Sequence, residues 1–356
     1  MYQYNKLYKN KKVLITGHTG FKGTWLTLIM LGFGAKVYGI SNNNETLIKK
    51  YKINQFKKKL VDINLDIVNQ TKLMKVVRKI KPDFIFHLAA QSLVFDSYQN
   101  PVITMQTNVF GTQNVLESIR NLEKCSAVFI TSDKCYENIE TTRGYKESDR
   151  LGGKDLYSSS KASAELLIKS YYNSFFKNNK NIRIASARAG NVVGGGDWNK
   201  NRLVPDCIKS WSENKTVVLR NPNSTRPWQH VLEPLRGYID LSRLLHSNSM
   251  YSGRSYNFGP RIHKNYTVEE LVKGMSAHWK KVKWRRIQKN KSSYFESKLL
   301  QLNCNKAKKE LNWKPLLGFK DTCFLTIDWY KKYLNNKNKT LSIFKDQIDQ
   351  YFKLIK

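Results

Sequence analysis

Three glycines constrain this chain more than any other feature. Gly17, Gly20 and Gly23 are spaced GxxGxxG, directly after a short β-rich run (KVLIT, residues 12–16) and before a helical pattern that continues to Gly32. At a strand-to-helix junction the first glycine permits the tight turn. The second lets backbone approach a pyrophosphate, and the third lets the helix pack closely on the sheet. The helix then offers free N–H groups and the positive end of its dipole to phosphate. A purely structural turn also uses glycines, but their place at the first βα junction favours a dinucleotide.

The chain keeps this rhythm. Residues 36–40 read as a second strand, 59–63 as a third, 72–80 as a helix, and the run DFIFHLAA after Pro82 as a fourth strand. A long helix is predicted over 101–122, then a strand over 127–131, a helix over 155–176 and a strand over 182–187. Strands alternating with helices predict right-handed βαβ units and a parallel sheet covered on both faces. The expected fold class is α/β. Residues 1–190 form a Rossmann-type doubly wound parallel sheet, and 191–356 mainly a smaller mixed substrate lobe, with some chain returning to the first domain. In that lobe, helical patterns recur near 203–212, 232–247, 267–278 and 318–334. The tail places Phe344, Ile348, Tyr351, Phe352 and Ile355 on one helical face, which predicts packing on the body or on a partner subunit.

Composition removes several other classes. No apolar run reaches the roughly 20 residues of a membrane span, and the basic N-terminus lacks a signal peptide's apolar region and cleavage site. A soluble cytoplasmic protein is expected. Five cysteines without a CxxC pair argue against a disulfide framework or a metal site. The net charge of +35 is spread over scattered lysines, with no zinc finger or RNP motif, so no nucleic-acid partner is expected. The charge still steers anionic small molecules.

Around the glycine turn, Thr19, Phe21 and Lys22 join the candidate cofactor residues. Such sites usually place an acid after the second strand, on the ribose hydroxyls. Here that stretch is Gly39-Ile-Ser-Asn-Asn-Asn-Glu45, so Ser41 and Asn42 are neutral substitutes, and NAD against NADP stays open. Asp66, followed by Ile67, is placed to accept from an adenine amino group or to cap a turn. Leu88, Ala89 and Ala90 end the fourth strand with little side chain, leaving backbone to lie against a cofactor, and Gln91 follows them.

The strongest chemical signal is Tyr157 and Lys161, four residues apart on one helical face. A nearby ammonium favours a phenolate, so Lys161 is expected to lower the phenol pKa and make Tyr157 a general base. A Lys- and Tyr-rich chain produces YxxxK by chance. The pair gains force from the glycine turn upstream and from Thr131-Ser132-Asp133-Lys134 at the end of a strand, where parallel sheets bind ligands.

Together with these residues, GHTGFKG, HLAAQ, TSDKCYEN, GYKESDRLGGKDLYSSSKASAE, RAGNVVGGGDW and RNPNSTRPWQHVLEPL resemble the extended short-chain dehydrogenase/reductase family. Within it they are similar to CDP-glucose 4,6-dehydratases, and the resemblance extends to LQLNCNKAKKELNWKP near the C-terminus. It implies an NAD cofactor, held in part by Tyr157 and Lys161, and conversion of CDP-glucose to CDP-4-dehydro-6-deoxyglucose and water. The implied setting is deoxysugar and surface-polysaccharide (O-antigen) synthesis. The implied cycle oxidises C4, eliminates water across C5 and C6, and returns the hydride to C6. Ser132 then contacts O4, Asp133 is the acid, and Lys134 stands where dTDP-glucose relatives carry a glutamate base. Lys134 as a neutral base and Lys134 as a mere ligand of a substrate oxygen both stay open.

The substrate candidates are Gln91, Asn191, Arg202, Leu203, Arg220, Arg226, Gln229 and His230, with Arg220 and Arg226 favoured over Arg202 for diphosphate. The chain departs from the family at Phe95, where relatives often carry an arginine. The resemblance also implies a homo-oligomer, dimer or tetramer. An epimerase or reductase on the same scaffold is the rival reading. It needs Tyr157 and Lys161 but no acid and base on 132–134. A non-catalytic cofactor-sensing protein predicts loss of the Tyr/Lys pair, which is present.

Overall fold

In the computed structural model, residues 2–43, 45–219, 221–261, 266–280, 282–286 and 299–355 are described. Seven strands form the central sheet: β1 (Lys12–Thr16), β2 (Lys36–Ser41), β3 (Leu60–Asn64), β4 (Phe84–His87), β5 (Cys125–Ile130), β6 (Ile182–Ala189) and β7 (Ser255–Phe258). Their order is β7-β6-β5-β4-β1-β2-β3, and every pairing is parallel. The order reverses between β1 and β4, which opens a crevice at their carboxyl ends, Thr16 and His87. The strands are near-continuous apolar runs because helices cover both faces.

The helices that build the site are α1 (Tyr2–Tyr8), α2 (Phe21–Gly32), α3 (Gln70–Ile80), α4 (Pro101–Met105), α5 (Gly111–Ile119) and α6 (Leu156–Tyr171). They are followed by α7 (Leu203–Ser212), α8 (Leu232–Ser247), α9 (Phe319–Asn335) and α10 (Thr340–Lys353). The single helix predicted over 101–122 is α4 and α5 joined by a π-helical segment, Gln106–Phe110. A second π segment, Tyr172–Phe176, extends α6. A 3.6-residue pattern cannot reveal an inserted residue of this kind.

Two elements carry no clear signal in the sequence. α1 is a helix, held because the hydroxyl of buried Tyr4 donates to Asp240 Oδ1 at 2.7 Å and that of Tyr8 to the Ile239 carbonyl at 3.2 Å. β7 extends the sheet beyond β6. The tail packs on the body. Phe344, Ile348, Tyr351 and Phe352 of α10 are buried, with Phe344 edge-on to Trp25 of α2. Trp25 Nε1 in turn donates to the Gly195 carbonyl at 2.9 Å, which ties the glycine-rich loop after β6 to the first βα unit. No described helix is long and apolar enough to cross a membrane.

Candidate active site

The β1–α2 turn and the end of β4 meet across a gap that only glycine allows. Gly17 has φ +73°, and a Cβ there would lie 2.8 Å from the Ala89 amide nitrogen. A Cβ on Gly23 would lie 2.0 Å from the Gly17 carbonyl oxygen, so the helix could not seat. Between these segments runs a cleft of about 430 Å³. Gly17, Thr19, Gly20, Phe21, Lys22, Gly23, Ser41, Asp66, Ile67, Leu88, Ala89 and Ala90 line it, joined by Asn42, Gln91, Asn199 and Arg202. One end offers the α2 N-terminus, Lys22 and Arg202 to negative charge; the other offers Ser41, Asn42 and Asp66. That division fits a dinucleotide, with the diphosphate at the helix and the adenosine beyond β2. Asp66 has two tasks, because Oδ1 accepts from Val68 N at 2.9 Å within its turn while the residue lines the cleft.

The catalytic candidates converge at the end of β5 and the start of α6. Asp155 caps α6, its Oδ1 accepting from Ser158 N at 2.9 Å, which fixes where Tyr157 and Lys161 project. Both are buried, as are Ser132 and Asp133; Lys134 is half-buried. Ser132 Oγ donates to Asp133 Oδ1 at 2.8 Å and accepts from Lys134 N at 3.2 Å. Asp133 Oδ2 is buried with no hydrogen-bond partner among the described residues. Burial raises the Asp133 carboxyl above its ordinary range, against the pull of Ser132, Lys134 and Arg226. A carboxyl shifted in this direction holds its proton more readily and is suited to donate it.

Tyr157 differs from its expectation. Burial pushes its phenol up to about 12, while the Ser132 hydroxyl beside it pulls it down and Asp133 pushes it up. Lys161 is itself lowered to about 8 by burial, which outweighs the opposite pull of Cys135 and Glu165.

The substrate candidates divide. Arg202 reaches the cleft, bridging Asp197 Oδ2 at 3.2 Å and Ser92 Oγ at 3.1 Å, and its charge acts on Tyr157 and Lys22. Leu203, beside it, begins α7 and packs on the core. Arg226 is buried and its charge acts on Asp133. Gln91 lines the cleft, but its amide is taken up by Leu93 N and O and by Thr104 Oγ1, so it shapes the loop. Gln229 donates to the carbonyls of Gly190 and Phe258, and its backbone N–H donates to the carbonyl of Asn191. His230 is fully buried beside Trp25, away from the cleft, and burial lowers it to about 3. Arg220 lies outside the described residues.

Two residues join the site without having marked themselves in the sequence. Asn108, on the π segment, donates to Gln91 O at 3.0 Å and to Ser160 Oγ at 2.9 Å, clamping the β4 loop to the catalytic helix. Tyr238 of α8 is fully buried, with no partner for its hydroxyl among the described residues, and Asp133 and Tyr157 act on it electrostatically. Lys22 Nζ stands 5.8 Å over its ring. In the sequence both are interior positions of helical patterns, which carry no chemical signal.

A doubly wound parallel sheet with a glycine-rich first turn and a Tyr/Lys helix defines the extended short-chain dehydrogenase/reductase class. Residues 14–326 match the family model described as GDP-mannose 4,6 dehydratase, and the chain belongs to that family. It is 39% identical over 350 residues to CDP-glucose 4,6-dehydratase of Salmonella typhimurium, covering 97% of both chains. Among solved structures it is similar to dTDP-glucose 4,6-dehydratase from Bacillus anthracis in complex with NAD, with a TM-score of 0.74 and 22% identity over 92% of this chain and 98% of that one. An epimerase from Methanothermobacter thermautotrophicus gives a TM-score of 0.78 at 20% identity over 95% and 97% of the chains.

Proposed function

We propose that the chain removes water from CDP-glucose to give CDP-4-dehydro-6-deoxyglucose, with NAD held in the β1–β4 cleft. The observation that carries this is the buried carboxyl of Asp133, raised above its ordinary range beside Tyr157 and Lys134. An epimerase has no task for such an acid. The 39% identity over nearly the whole chain supports the cytidine nucleotide. NAD is preferred to NADP because the far end of the cleft presents Asp66 and no cation among its lining residues, which opposes a ribose phosphate.

When bound, the nicotinamide supplies the oxidising equivalent at C4 and the reducing equivalent at C6. Tyr157 holds the C4 hydroxyl and would take its proton once the positive charge of the bound cofactor favours the phenolate, and Ser132 steadies the same oxygen by donation. Oxidation at C4 acidifies the C5 hydrogen. Asp133, whose burial favours the protonated carboxyl, gives its proton to the departing 6-hydroxyl. Lys134 faces C5 as the base, removing its proton in the elimination and returning one there when C6 is reduced. Arg202 and Arg226 bind the substrate diphosphate, and Lys161 binds cofactor ribose. A second copy of the chain covers the exposed apolar side chains Val102, Phe110 and Phe175.

Incubation with CDP-glucose, dTDP-glucose, UDP-glucose and GDP-mannose tests the assignment. Mass spectrometry should show loss of one water from CDP-glucose; turnover of another sugar nucleotide alone would sink it. In deuterated solvent, Lys134→Ala should lose exchange at C5 while Tyr157 chemistry at C4 persists. Native exchange in that variant would leave Lys134 as a ligand only.

A further inference from the structure

A second cavity, of about 820 Å³, shares no lining residue with the cofactor cleft. It lies at the β6–β7 edge, between α6 and the 146–151 loop, and its volume is that of a small-molecule site. We propose that it binds a phosphate-bearing small molecule at a site separate from the reaction centre.

Six cations and three carboxylates line it. The carboxylates are already engaged. Glu165 Oε2 meets Arg188 Nη2 at 2.7 Å, Asp149 pairs with Arg143 through two bonds of 2.8 and 2.9 Å, and Glu147 Oε1 accepts from Asn257 N at 2.8 Å. Lys146 and Lys169 are exposed at the rim, and neither ammonium forms an ion pair among the described residues. In a chain of net charge +35, surface lysines alone prove little. The floor separates this cavity from an ordinary basic surface. Arg188 is 3% exposed, and its Nε is buried without a hydrogen-bond partner among the described residues. Beside it, Ser186 Oγ meets Ser255 Oγ at 2.9 Å and Glu165 Oε2 at 2.9 Å. A guanidinium with a spare donor under a lysine rim recognises phosphate oxygens.

The floor also touches the catalytic segment from behind. Glu165 Oε1 accepts from Thr131 Oγ1 at 2.5 Å, next to Ser132, and Glu165 lies one turn beyond Lys161 on α6. Arg188 Nη1 donates to Tyr136 Oη at 2.8 Å.

Calorimetric titration of the full chain with inorganic pyrophosphate, glucose 1-phosphate or CMP tests the site. The probe bound most tightly tells bare phosphate, sugar phosphate and nucleotide apart. Lys146→Glu/Lys169→Glu should weaken that probe by about tenfold or more. A control with the same charge change on α3, Lys72→Glu/Lys75→Glu, should stay within about twofold. The proposal is overturned by no binding of any probe, by unchanged binding in the rim variant, or by equal weakening in the control. None of these readouts depends on turnover of CDP-glucose.

Discussion

For single residues, burial sets the chemistry more than pairing does. Lys161 loses its proton in the fold at about 8, against an ordinary value of 10.5, chiefly through desolvation. Below pH 8 both the folded and unfolded chains carry that proton, and keeping it in the fold costs on the order of 3 kcal/mol. Above about 10.5 neither carries it, and the cost disappears. Lys161→Met should therefore raise resistance to thermal unfolding at pH 7, and the gain should shrink as pH climbs from 8 to 10.5. A gain that is absent, or flat with pH, would contradict this account. The same variant should lose nearly all turnover. Asp133→Asn keeps the shape but removes the proton donor, so water elimination should fall by about 10² to 10⁴ while C4 oxidation, read as the absorbance of reduced cofactor, continues.

Among the elements, the two π segments and the α6 face do what regular geometry cannot. The first π segment aims Asn108 at both the β4 loop and the catalytic helix. On α6, Glu165 accepts from Thr131, Ser186 and Arg188, so strands β5 and β6 are fixed against the helix by one carboxylate. Both members of the Glu165–Arg188 pair are almost fully buried. Glu165→Gln leaves the guanidinium without its counter-charge and should cost about 3 to 5 kcal/mol, read from denaturant unfolding. Glu165→Gln/Arg188→Met should recover much of that loss, because the unpaired charge is then gone.

Across the whole molecule, the order β7-β6-β5-β4-β1-β2-β3 places the cleft at the reversal between β1 and β4 and the catalytic helix after β5. α1 and α10, the two ends of the described chain, both pack on the body and brace the first βα unit. Val102, at 65% exposure, and Phe110, at 54%, lie on the outer side of the α4–α5 stretch. A glutamate at each should weaken self-association by about tenfold or more, seen as a shift toward monomer in sedimentation, with unchanged circular dichroism. An unchanged sedimentation profile would overturn the proposal that a second copy covers this face.

Much of this architecture is legible in the amino-acid sequence. Helix limits near 203–212, 232–247 and 318–334 follow from apolar spacing, and the glycine turn follows from its place after β1. That Gln91 and Gln229 also bond to backbone carbonyls, and that His230 is fully buried beside Trp25, is not legible in the motif, because a polar side chain reads the same in either setting. Asn108 and Tyr238 stay hidden because the groups they stand beside, Gln91 and Ser160 for one and Asp133 and Tyr157 for the other, lie far away in sequence. The GxxGxxG turn marks the first strand-to-helix junction because backbone geometry there is local, and the alternation of strands with helices gives the parallel sheet. The state of the reacting groups is set only when the chain is folded. Desolvation raises Tyr157 to about 12 and lowers Lys161 to about 8, and it depends on every element packed around them.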